Sequence, residues 1–135
     1  MKLVITGMGV LTAAGRGVEP LFDLLRSGGN AFSPVPPYPA DGLSRPLCAA
    51  AAGLERDRPA EALLAVATAD ALAQAGLEAV PSGSGLVVGT SSGNISGPWE
   101  RWHRALLEGR ELPEEGCGRD APTRALASQL GIRGP

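Results

Sequence analysis

Lys2-Leu3-Val4-Ile5-Thr6-Gly7-Met8-Gly9-Val10 is the stretch that decides the fold class. Its first four residues are β-branched or apolar apart from Lys2, without alternation, and read as a buried strand. Gly7-Met8-Gly9 lets the backbone turn or pack closely. Val10 to Thr12 extends or resumes the strand, and Gly15-Arg16-Gly17 marks a loop. Val18, Leu21, Phe22 and Leu25 follow at helical spacing, with Pro20 in the first turn. Ser27-Gly28-Gly29-Asn30 stops that helix.

Outward from this unit the same alternation continues. Residues 31–46 are proline-rich and read as an irregular surface connection, with a short strand at Leu47 to Ala50. Pro59 opens a helix over 60–75 in which Leu63, Leu64, Val66, Ala67, Ala71 and Leu72 leave almost no polar face. A helix apolar all round is expected to be buried, and its alanines permit close approach of neighbours. Gly76 ends it, Gly83-Ser84-Gly85 turns the chain, and Leu86-Val87-Val88 reads as a second buried strand.

Beyond the small-residue loop 89–94, Ser96 and Pro98 start a helix running to about Glu108. Trp99, Trp102 and Leu106 share one face of it, and Glu100 and Arg104 are spaced as an i,i+4 pair. Gly109 closes it. Asp120 is placed as an N-cap, with Pro122 in the first turn of a last helix carrying Ala125, Leu126 and Leu130. Strands alternating with helices predict an α/β fold with a mainly parallel sheet.

Composition narrows the function classes. The chain has 135 residues, 44% of them apolar, and a net charge of −2. That suits one domain with a core, and gives no basic excess for nucleic acid or an acidic membrane surface. Glycine (19) and proline (12) are abundant, but the apolar residues fall in periodic blocks, against a disordered chain. Cys48 and Cys117 stand far apart and form no disulfide framework, so a reducing, cytoplasmic compartment is expected. No apolar run approaches the roughly 20 residues of a membrane span.

The motifs stop short of a catalytic set. Gly7-Met8-Gly9 invites the dinucleotide fingerprint, but Thr12 stands where the third glycine belongs and no helix starts at once, so the expected role is a tight turn beneath a buried strand. Gly89-Thr90-Ser91-Ser92-Gly93 matches the nucleophile-elbow pattern, yet Asn94 to Pro98 separates it from the helix. His103 is the only histidine, and no Asp lies between the loop and it, so a Ser-His-Asp triad is not expected. His103 also lacks a second ligand at metal spacing. Cys48 sits among small apolar residues and Cys117 near Glu114 and Glu115, neither setting favouring a thiolate. Trp99 and Trp102 read as core or interface anchors.

The order of these segments resembles the N-terminal part of a β-ketoacyl-acyl-carrier-protein synthase, a condensing enzyme of the thiolase superfamily. The resemblance rests on Val4-Ile5-Thr6-Gly7-Met8-Gly9-Val10 with Gly15 and Gly17-Val18, and on the Ala-rich helix to Ala75-Gly76-Leu77. It rests also on Gly85-Leu86-Val87-Val88-Gly89-Thr90 and the closing Leu130-Gly131-Ile132-Arg133-Gly134-Pro135. It spans most of residues 1–135; the proline-rich segment and 110–119 carry little of it.

The resemblance implies half of a layered αβαβα fold, ending before the strand that leads to the nucleophile. It implies decarboxylative Claisen condensation of an acyl thioester with a malonyl carrier thioester, in fatty-acid or polyketide synthesis. The Cys and two His that perform it in the family lie beyond the matched segments, so this chain is expected to be inactive alone. No cofactor or metal is implied. The partners implied are an acyl carrier protein and a second ketosynthase subunit, in a homodimer or heterodimer. Ser91 and Asn94 replace two glycines of the family's Gly-Thr-Gly-x-Gly-Gly loop, and Ser92 matches the position that reaches into the partner's acyl pocket. Ser91, Ser92, Gly93, Trp99 and Trp102 are therefore the acyl-pocket or dimer-interface candidates. Two alternatives stay open: a non-catalytic, chain-length-factor type partner subunit, and an unrelated α/β binding module.

Overall fold

A computed structural model describes residues 2–34, 42, 44–51, 59–91, 96–112 and 120–133, apart from the side chains of 59 and 96–100. The described residues form β1 (Leu11–Thr12), β2 (Gly15–Arg16), α1 (Val18–Ser27), β3 (Ser33–Pro34), β4 (Leu47–Cys48), α2 (Pro59–Gln74), α3 (Ser96–Leu107) and α4 (Ala121–Leu130). The class is a small mixed α/β one.

The helices form where local sequence dictates them. In α1, Pro20 falls in the first turn, where its missing N–H would have had no intrahelical partner, and Glu19 and Arg26 match the helix dipole at either end. All four helices stop in the same way. After α2, the Leu77 N–H reaches the Leu72 carbonyl at 2.9 Å and the Gly76 N–H reaches Ala73 at 3.1 Å. The same double bond closes α1 at Gly28, α3 at Gly109 and α4 at Gly131. It requires a left-handed residue, and the four glycines have φ of 63–68°.

One helix start differs from expectation. Asp120 stands at the N-cap position of α4, as expected, but its backbone is right-handed helical (φ −86°, ψ −8°) and its side chain makes no capping bond. A capping oxygen needs an extended backbone to reach the N2 or N3 amide. The Asp120 carboxylate instead accepts from Arg124, one turn on, at 3.0 Å.

The strands differ more. The two sheets among the described residues are antiparallel pairs of two residues each. Leu11 and Thr12 pair with Arg16 and Gly15, around a turn in which the Ala14 N–H donates to Thr12 Oγ1 at 3.2 Å. Ser33 and Pro34 pair with Cys48 and Leu47, so the short strand expected at Leu47 forms, over Leu47–Cys48. Lys2 to Ile5 and Leu86 to Val88 carry no ladder, and no parallel pair occurs among the described residues. Nor are these runs buried: Leu3, Val4 and Ile5 are 77–88% exposed and Val87 is 97% exposed. An apolar run becomes a strand only when a neighbour takes its N–H and C=O groups and another layer covers its face.

The core is correspondingly small. α4 packs on α2, and Ala121, Pro122 and Leu126 of α4 are buried, as is Ala105 of α3. The apolar α2 is half-buried from Ala60 to Thr68, with no fully buried position among its described residues. On α1, Phe22 and Leu25, expected on its apolar face, are exposed.

Candidate functional site

A close contact joins the N-terminal segment to α2. A Cβ on Gly7 would lie 2.0 Å from the Ala71 carbonyl oxygen, and one on Gly9 would lie 1.7 Å from that of Ala67. Neither glycine has a positive φ. They are needed for lack of bulk, not for a turn, so the close-packing reading of Gly7-Met8-Gly9 holds and the tight-turn reading does not. Between them the Met8 N–H donates to Gln74 Oε1 at 2.6 Å. The nearest helix start, Val18, is well beyond the glycines, so they present no phosphate to a helix N-terminus.

Two openings flank this seam. One, of about 340 Å³, is lined by Thr6, Gly7, Gly9, Ala67, Ala71 and Leu77 among others. The other, of about 490 Å³, is lined by Met8, Val10, Glu19, Asp70 and Gln74 among others.

Beside the second opening, Arg16 and Asp70 form a two-pronged ion pair. Arg16 Nε donates to Asp70 Oδ2 at 2.8 Å and Nη2 to Oδ1 at 2.5 Å. The pair ties the β1–β2 hairpin to α2. Arg16 hydrogen bonding holds the Asp70 carboxyl below its ordinary range, and Asp70 raises the Arg16 guanidinium in turn. Sequence reasoning missed this pair because its members are 54 positions apart. One signal was present: Asp70 is the only charged residue between Glu61 and the end of α2.

The candidates from the loop and α3 lie only in part within the described residues. Ser91 is exposed at the end of the described loop segment, while Ser92 and Gly93 lie outside the described residues. Trp99 lies on α3 with its side chain outside the described residues, and so does Glu100, whose expected pairing with Arg104 falls there too. Trp102 is half-buried one turn along. Leu106, on the same helical spacing, is 65% exposed. Residues 84–90 form no strand, and residues 92–95, which would complete a nucleophile elbow, lie outside the described residues.

Elsewhere the chemistry is sparse. Cys48 is half-buried in β4 with a free thiol, and Cys117 lies outside the described residues. His103 is exposed on α3. No group of three His, Cys, Asp or Glu side chains converges as metal ligands among the described residues. A cavity of about 310 Å³ near the end of α3 is lined by Arg101, Arg104 and Arg110, together with Ala105 and Glu111. Arg110 pairs with Glu108, and arginines near a helix C-terminus complement its dipole. Among the described residues no helix is long and apolar enough to cross a membrane.

No family model matches the chain, and no curated protein matches it.

Proposed function

We propose that this chain forms the N-terminal part of a β-ketoacyl-acyl-carrier-protein synthase fold. Its role there is to build one side of the acyl site, not to supply the reacting groups. The observation that carries the reading is the seating of Gly7 and Gly9 on Ala67 and Ala71 of α2. These are two of the segments on which the resemblance rests, and they lie against each other.

The exposure of Leu3 to Ile5 and of Val87 supports the same reading. Leu3 to Ile5 and Leu86 to Val88 are the strands that a layered fold would place side by side in a parallel sheet, covered on both faces. In the finished assembly that sheet forms, and the apolar α2 lies between it and a second layer. The 89–94 loop and α3 then border the acyl pocket or the subunit interface through Ser91, Ser92, Gly93, Trp99 and Trp102. The condensation itself needs a thiolate and two imidazoles. Cys48, Cys117 and the single His103 do not match the family's positions for them.

The test is to isolate the native gene product with whatever it is joined or bound to. It is then supplied with an acyl thioester and a malonyl carrier thioester. Formation of the β-ketoacyl product with release of carbon dioxide is expected. Binding of the carrier without product would favour the non-catalytic partner subunit. Neither binding nor product would defeat the reading.

A further inference from the structure

We draw no further inference here: the strongest candidate, the apolar runs Leu3 to Ile5, ahead of the seam on α2, and Leu86 to Val88, which carry no ladder, carries nothing beyond the reading already proposed, because nothing in the structure shows what covers it.

Discussion

Gly9 rests against Ala67 so closely that any β-carbon on it would fall 1.7 Å from the Ala67 carbonyl oxygen. That oxygen belongs to helix backbone and cannot rotate away, so the whole segment must lift for a side chain to enter. Gly9→Ala is therefore expected to destabilise the protein by roughly 1–3 kcal/mol or more, the usual range for overpacking. Gly7→Ala should behave alike. Gly85 meets nothing within 4 Å, so Gly85→Ala is the control and should be near neutral. Urea unfolding of the three variants beside the parent decides it. Equal midpoints for Gly9→Ala and Gly85→Ala would show that the seam does not form.

Asp70 gives a pH dependence with a definite sign. Its carboxyl is held lower in the folded chain than in the unfolded chain by the Arg16 hydrogen bond. The unfolded state thus takes up the proton first as pH falls. The stabilisation is complete above the ordinary aspartate range and is lost as pH drops through the lower folded value. Arg16 is 60% exposed, so the effect is small and screened by salt. Asp70→Asn should flatten that part of the acid limb in low salt. An unchanged acid limb would mean that the pair does not hold in solution.

The buried end of α4 should be the most sensitive large side chain. Leu126 is 4% exposed where α4 packs on α2. Leu126→Ala is expected to cost about 2–5 kcal/mol, from lost transfer energy and the cavity left behind. A loss below about 1 kcal/mol, small beside that range, would place Leu126 outside the core.

Val87 should behave in the opposite way. At 97% exposure it contributes little to this chain, and Val87→Thr should shift its stability by no more than about 0.5 kcal/mol. In the native assembly the same side chain is expected to be covered, where its burial is worth roughly 1.5–3 kcal/mol. The variant should therefore weaken assembly while sparing the chain's own unfolding midpoint. No loss of assembly would remove this strand from the covered sheet.

Ser92 carries a specificity prediction that follows from the resemblance. By that resemblance, a serine at the position reaching into the partner's pocket would leave the pocket more open, or more polar. Ser92→Phe in the native assembly should shorten the acyl chains it accepts. Product analysis with acyl thioesters of graded length reads the shift. An unchanged length profile would count against Ser92 facing the pocket.

The helices were legible because their signals are local. Pro20 in the first turn of α1 and the glycines at 28, 76, 109 and 131 mark ends that depend on neighbouring residues alone. The N-terminal glycines read first as a tight turn; the close approach they serve depends on α2, distant in sequence, which local spacing does not reveal. Strands at Lys2 to Ile5 and Leu86 to Val88 were read from hydrophobicity, but ladder formation depends on partners distant in sequence. Asp120 was legible as the N-cap position, but whether its side chain bonds there is decided by the backbone conformation, not by residue type. The Arg16–Asp70 pair was invisible to spacing arguments, which reach about one helical turn. At the candidate site, Trp99 and Trp102 share a helix as expected, but the loop that would complete the site spans residues not described.

The most direct test of the central claim is to map the acyl adduct on the native assembly. The gene product is isolated, its intact mass is recorded, and it is treated with an acyl thioester before peptide mass analysis. The account predicts a thioester on a cysteine other than Cys48 and Cys117, held in one assembly with this chain. An assembly that takes up no acyl group, or takes it up only on Cys48 or Cys117, would contradict it.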